Sequence, residues 1–411
     1  MCYPRVCLRF AYPTLRRLHH CLSLGRETCY FSFYYYPRVP FGLCILQHCE
    51  MAAGPTLTEK FQGCLVGGLL GDCLGAPFEA HIKNTVIPDQ RTFFQNLLKG
   101  EIAFGPLAGR NFRPSEVDQE HGEYHYTDDS AMTFCLARSL LAKGGFDPLD
   151  VAKRFTEEYF ENRQLMQEYG NAVKNVFQKW KDSSYADPYK PAMEQFEGRG
   201  SYGNGASMRV APVALFYTKD HEKMIEVARN QAKLTHSNES AYNAAILQCM
   251  AIATALRSDP GTPFDSGHFM SQLVALMLQQ EKSHNGQGPL CHKMELIKKI
   301  VCDPTQDPTP AEVAVMLGND MSAQGSVPTA IYSFLRSQRP LTDFEHKSPY
   351  VRCLYFAIAC GGDSDTIAAM AGNIAGARHG ISSIPGVLQR QCKGVDEMAR
   401  LAESIEEAVF K

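Results

Sequence analysis

Asp363 and Asp365 stand two residues apart on the hinge Gly361-Gly362, with the hydroxyl of Thr366 beside them. Ionised carboxylates and a hydroxyl are hard oxygen donors, of the kind that suit magnesium, calcium or manganese. Beyond them Ile367, Met370, Ala371, Ile374 and Ala377 keep one apolar face at a spacing of three and four, which predicts a helix. The acids therefore lie at a helix N-terminus, where the dipole favours the ionised form. Capping alone accounts for a lone motif of this type, because Asp, Ser and Thr are common caps. A metal site needs further carboxylates from elsewhere in the chain.

Two other stretches supply them. Tyr126-Thr127-Asp128-Asp129-Ser130 opens the helical run from Ala131 to Leu141. Adjacent like charges repel, and a shared cation is a better reason to keep both than a helix dipole. Glu79 follows a helical pattern that starts at Glu59, carries Phe61, Leu65, Leu69 and Asp72 on one side, and stops near Gly75 and Pro77. That helix holds Gly63, Gly67, Gly68, Gly71 and Gly75, each costing roughly 1 kcal/mol against Ala. Such a run predicts close backbone approach to a neighbouring helix. Asp72, among small apolar residues, needs a partner or a nearby ligand. Five carboxylates at three helix ends, gathered around one pocket, are untenable without cations. Two divalent ions would offset most of that charge and hold substrate oxygens between them. The arrangement suits cleavage at a sugar carbon, where positive charge develops and carboxylates stabilise it.

Gly198-Arg199-Gly200-Ser201-Tyr202-Gly203-Asn204-Gly205 has four glycines in eight residues and can present successive backbone N–H groups to an anion. Phe196 and Tyr202 flank it and can stack on a base ring. A flexible surface loop has the same composition. His236, in Leu234-Thr235-His236-Ser237, reads by itself as a structural hydrogen-bonding residue.

The elements that must position these residues are helical. An amphipathic pair spans 148–180, and a helix from about Glu239 to Leu256 has Ser237 or Asn238 as its cap. Residues 83–122 read as loop-rich, and 258–310 as one helix plus long loops. Val327-Pro328 opens a helix with Pro in its first turn. An apolar helix from Tyr350 to Cys360 leads into the Asp363 motif, and Val395 to Phe410 forms a last amphipathic helix. Strand signals are scarce. The expectation is an all-α globular domain from about residue 57 to 411.

The 411 residues, 45% apolar and 21% charged, suffice for a large core. A net charge of -3 gives no electrostatic case for nucleic-acid or membrane binding, and no apolar run reaches the ~18 residues of a membrane span. Nine of the fifteen cysteines, from Cys64 to Cys392, are scattered among apolar neighbours and read as buried free thiols. Neither a zinc pattern nor a phosphate-loop motif is present. Residues 1–50 stand apart, with six cysteines, six arginines, no lysine and only Glu27 and Glu50 as acids. Clusters such as Tyr34-Tyr35-Tyr36 show no helical or strand period. The segment reads either as a transit peptide or as an upstream extension of the gene model before a true start at Met51. The second is favoured by the aromatic and cysteine load, and either way the catalytic domain is expected to be 51–411.

Taken in order, G-D-C-L-G-A-P-F-E (71–79), Y-T-D-D-S-A-M (126–132), G-S-Y-G-N-G-A-S-M-R (200–209), L-T-H (234–236) and G-G-D-S-D-T-I-A-A-M-A-G (361–372) resemble the ADP-ribosylglycohydrolase family. The resemblance covers nearly all of the chain after Met51. Within the family it is nearest to the vertebrate members that act on serine-linked ADP-ribose, through the S-Y-G-N-G loop and S-V-P-T-A-I-Y (326–332). It implies a compact orthogonal bundle of helices with a central cleft for two magnesium ions. By the same resemblance Thr127, Asp128, Asp129, Asp363, Asp365 and Thr366 would be the metal shell. Glu79 would touch a metal at rest and swing to the glycosidic bond as acid/base. Asp128 would also meet the substrate; the loop Arg199, Gly200, Ser201, Tyr202, Gly203, Asn204, Gly205 would hold the diphosphate, with Phe196 and Tyr202 at the adenine. His236 and Met321 would line the ADP-ribose site. The implied substrates are ADP-ribosyl-serine on proteins, poly(ADP-ribose) and O-acetyl-ADP-ribose, for a monomer in nucleus and cytoplasm or the mitochondrial matrix.

The chain departs from this closer pattern at Ala206-Ser207, which replace Gly-Ala, and at Asp320, which replaces Gly and would put an acid near the cleft. A phosphatase reading of the D-x-D-T motif fails, because only about 45 helical residues follow it and no parallel sheet is present. A non-catalytic ADP-ribose binder would be expected to lose metal ligands, and all positions here are filled. An arginine-specific hydrolase is the remaining alternative.

Overall fold

The structure is a computed structural model that describes residues 18–24, 27–33, 54–79, 90–101, 117–118, 123–281 and 288–411. It divides into two units, Met1–Gly54 and Pro55–Lys411. In the first, β1 (Leu18–Leu24) pairs antiparallel with β2 (Glu27–Phe33). The segment 1–50 is expected to stand outside the fold, yet Thr28, Tyr30, Phe31 and Phe33 are of types with strong β propensity and sit in β2. Tyr34-Tyr35-Tyr36 lies outside the described residues.

Among the described residues the second unit is all-α, apart from the two-residue pairing of Val117–Asp118 with Glu123–Tyr124. Its main helices are α1 (Leu57–Gly75), α2 (Gln90–Lys99), α3 (Asp128–Lys143), α4 (Glu239–Arg257), α5 (Ala323–Ser337), α6 (Pro349–Ala359), α7 (Ser364–His379) and α8 (Val395–Phe410). No described helix is long and apolar enough to cross a membrane.

The core is built around α7, buried at every residue from Ser364 to Arg378. α1, α4, α5 and α6 all pack against it, and α8 covers the outer side of α1. The α1–α7 contact is backbone against backbone. A Cβ on Gly67 would lie 2.5 Å from the Gly372 carbonyl oxygen, and one on Gly71 would lie 2.2 Å from that of Ala368. No side chain longer than hydrogen fits, which is why α1 carries residues that disfavour a helix. Polar ties lock the seam: Asn373 Nδ2 donates to the Cys64 carbonyl at 2.8 Å, and Ser364 Oγ to that of Gly75 at 3.0 Å.

Several element boundaries differ from the sequence reading. α2 falls inside the stretch read as loop; its Phe93, Phe94 and Leu97 are buried, too short a pattern to stand out alone. Residues 258–310 hold two helices, Ser266–Gln280 and Pro289–Cys302. α5 starts at Ala323, so Pro328 is inside the helix and not in its first turn. Ser322 caps it by accepting from Gly325 N at 3.0 Å. Pro328 leaves the Gln324 carbonyl without its helical donor; Lys293 Nζ supplies one at 2.6 Å. Of the nine cysteines eight are buried, and Cys302 is exposed.

Replacing Gly71 by Ala forces a methyl into the Ala368 carbonyl, so it should destabilise the protein by about 1–3 kcal/mol in urea unfolding. Gly170→Ala, where added atoms meet nothing, should stay within about 0.5 kcal/mol. Equal stabilities for the two variants would refute the seam.

Candidate metal centre and ligand cleft

The Asp363 turn is fixed from outside. Gly361 and Gly362 have φ of 65° and 71°, a region that side chains disfavour. A Cβ on Gly362 would also lie 2.0 Å from the Asn319 carbonyl, which accepts from Asp363 N at 2.8 Å. Asp363 is the N-cap residue of α7, yet its carboxylate makes no capping hydrogen bond. The capping explanation therefore fails where it was needed. Instead Asn204 Nδ2, from the glycine-rich loop, donates to Asp363 Oδ2 and to Ser326 Oγ.

Glu79 follows the short 3-10 turn Ala76–Phe78 at the end of α1. The α1–α7 seam brings Gly75 against Asp365, where a Cβ would lie 2.6 Å from the Asp365 Cα. One carboxylate oxygen from each of Glu79, Asp363 and Asp365 then lies within 4.8 Å of the others. Asp128 and Asp129, in the first turn of α3, complete the wall. Thr127 caps α3, accepting from Asp129 N at 3.3 Å, and Thr366 Oγ1 donates to Asp129 Oδ1 at 3.3 Å.

Asp72 orients α3. It is fully buried and accepts from Thr127 N at 3.0 Å, Ser130 N at 3.0 Å and Ser130 Oγ at 2.6 Å. Burial nonetheless raises its carboxyl to about 6. So the partner that the sequence reading required for Asp72 is the start of α3. Burial raises Asp128, Asp129 and Asp365 well above the usual carboxylate range, and repulsion from neighbouring acids adds to it. Asp129 Oδ2 is buried with no hydrogen-bond partner among the described residues. An orphaned carboxylate oxygen among crowded, desolvated acids is what a cation site leaves when the cation is taken away, and all donors are hard oxygens. The residues fit a divalent ion.

One cleft is lined by Glu79, Thr127, Asp128, Asp129, Asp363, Asp365 and Thr366, and by Ser201, Gly203, Asn204, Gly205, His236 and Met321. Phe196, Arg199, Gly200 and Tyr202 do not line it. Phe196 and Tyr202 are exposed side chains with ring centroids 6.3 Å apart. Arg199 points to solvent and pairs with Glu197. Gly200 has φ of 71° and packs on Ser237. Asp320 does not line the cleft either: Oδ1 accepts from Ser322 N at 2.8 Å ahead of α5. Met132, Glu168, Asn171 and Met208 also line the cleft; the first and last lie inside the quoted motifs, and nothing in the local sequence marks Glu168 or Asn171.

Residues 53–411 match the ADP-ribosylglycohydrolase family model. This chain belongs to the ADP-ribosylglycohydrolase family. Among curated members, a Gallus gallus protein named ADP-ribosylhydrolase ARH3 is 38% identical over 362 residues, covering 85% of this chain and 93% of that protein. Its Mus musculus namesake is 40% identical over 359 residues, covering 84% and 91%. A solved structure titled ADP-ribosylglycohydrolase-related protein complex superposes with a TM-score of 0.58 at 25% identity, covering 86% of this chain and 99% of that one. The all-α fold of the second unit is consistent with membership of this family.

Metal should be felt as stability. At a hundredfold excess over Kd, an ion bound only by the folded chain adds about 2.7 kcal/mol, so Mg2+ should raise the Tm and chelation should lower it. Raised folded-state pKa values at Asp128, Asp129 and Asp365 mean that the metal-free protein loses stability as pH rises above about 4, the ordinary carboxylate value. The Tm gap between magnesium-loaded and chelated protein should therefore widen with pH, and a constant gap would argue against the carboxylates as ligands.

Proposed function

We propose that this chain is a magnesium-dependent hydrolase that cleaves the O-glycosidic bond between ADP-ribose and serine on proteins, and also acts on poly(ADP-ribose) and O-acetyl-ADP-ribose. The observation that carries this reading is the meeting of Glu79, Asp363 and Asp365 at 4.8 Å or less, beside Ser201–Gly205 in one cleft. The names of the curated relatives support ADP-ribose as the substrate class. The Ser201–Gly205 loop and the 326–332 stretch, which resemble serine-directed members, support the serine linkage.

Thr127, Asp128, Asp129, Asp363, Asp365 and Thr366 would hold two Mg2+ ions, with Glu79 in contact at rest. Bound there, the ions would neutralise the carboxylates and orient ribose hydroxyls and water. The remaining acid charge faces the anomeric carbon as its bond to the serine oxygen breaks and positive charge develops. Glu79 is suited to move protons. It is half-buried, stands at the end of a turn, and can give a proton to the leaving oxygen and take one from the attacking water. The loop Arg199–Gly205, tied to the acids through Asn204, would hold the diphosphate. Phe196 and Tyr202, exposed beside the loop, would close on the adenine.

Incubation in Mg2+ with serine- and arginine-linked ADP-ribosyl peptides should release ADP-ribose from the serine linkage alone. Release from arginine alone, or from neither, would overturn the proposal. Asp128→Asn and Asp365→Asn should abolish turnover. Glu79→Gln should lower kcat by about 10²–10⁴-fold while ADP-ribose binding by calorimetry persists.

A further inference from the structure

His236 has a built support behind it. Arg209 is fully buried and makes no ion pair among the described residues. Its guanidinium donates from Nε to Gln231 Oε1 at 2.9 Å and from Nη2 to the Gln231 carbonyl at 2.9 Å. The Phe155 ring lies 4.9 Å from its centre. Nη2 also donates to Thr235 Oγ1 at 2.8 Å, and Thr235 Oγ1 lies 2.7 Å from His236 Nδ1.

These contacts fix the hydrogens. Arginine only donates, so the Thr235 oxygen receives from Arg209 and keeps its own hydrogen to give. The other group within its reach is Nδ1. Donation the opposite way, from Nδ1–H to Thr235, would leave a buried hydroxyl hydrogen without an acceptor among the described residues. A neutral imidazole that accepts at Nδ1 carries its hydrogen on Nε2. The ring is pressed against the glycine-rich loop: a Cβ on Gly205 would lie 2.7 Å from Cε1, and one on Gly203 would lie 3.3 Å from Nε2. Its exposed edge lines the cleft.

We propose that Arg209 and Thr235 are positioning residues that lock His236 in the Nε2–H tautomer, which makes the ring a dedicated hydrogen-bond donor to oxygens of an anionic ligand held at Gly203–Gly205. The ligand class, a sugar-linked diphosphate, rests on the function proposed above; the lock itself does not. Burial and the Arg209 charge push the imidazole down to about 3, so the ring stays neutral and takes no part in proton transfer. The chain thus separates two tasks: carboxylates handle protons, and the histidine reports only on acceptors.

The lock can be read from long-range 1H–15N spectra of ligand-free protein labelled at histidine, with the His236 signals identified by their loss in His236→Gln. The expected pattern is a bare Nδ1 and a protonated Nε2. Thr235→Val removes the hydroxyl that donates to Nδ1, so the Nδ1 resonance should move from its hydrogen-bonded position toward that of a free imidazole nitrogen, and ADP-ribose binding should weaken about tenfold, the loss of one hydrogen bond. Thr235→Ser should restore both. A protonated Nδ1 in the parent protein, or a valine variant with unaltered Nδ1 resonance and affinity, would overturn the lock. If the valine variant fails to fold, the parent and serine spectra decide. Failure of the parent protein to bind ADP-ribose would instead overturn the ligand assignment, while its ligand-free spectrum still tests the tautomer.

Discussion

The backbone contact between α1 and α7 is the constraint on which the rest depends. Gly63, Gly67, Gly71 and Gly75 face the carbonyls of Gly376, Gly372 and Ala368 and the start of Asp365 in turn along one seam. A helix of this composition is a poor helix alone, since each glycine disfavours it by about 1 kcal/mol. The compensation is positional. With α7 at that distance, the ends of the two helices coincide, and Glu79 reaches Asp363 and Asp365 although more than 280 residues separate them in sequence. The apolar packing of α4, α5 and α6 around α7 then holds the seam shut.

A second constraint runs against the first. Packing that tightly buries acids, and buried acids resist ionisation. The chain answers differently at each. Asp72 has backbone and hydroxyl donors, so it serves as structure and anchors α3. Asp129 has one oxygen held by Thr366 and the other left without a partner among the described residues. That contrast between a satisfied and an unsatisfied carboxylate, a few residues from each other in space, separates scaffold from site. It is also why the site is a place where stability is given up for function.

Much of this was legible in the sequence because the features are local and unusual. Glycines at helical spacing announce close approach, and acids beside helix starts announce either caps or ligands. Helices such as Val395–Phe410 follow from periodicity. What stayed hidden depends on distant partners. Nothing near Pro328 shows that Lys293 will satisfy the carbonyl it frees. Nothing near Asp320 shows that it will turn toward Ser322 and away from the cleft. Asn204 read as part of an anion loop, yet its amide belongs equally to Asp363, so the loop and the acids form one unit. Phe196, Arg199, Gly200 and Tyr202 stand outside the cleft lining, which nothing in their types or spacing shows. The support of His236 by Arg209 and Thr235 was invisible because a buried arginine gives no periodic signal.

The most direct test of this account is a crystal structure of the protein soaked in Mn2+ with anomalous scattering measured. The expected result is anomalous density touching Asp363, Asp365 and the first turn of α3. A well-ordered map with these carboxylates in place and no peak among them, at saturating Mn2+, would contradict it.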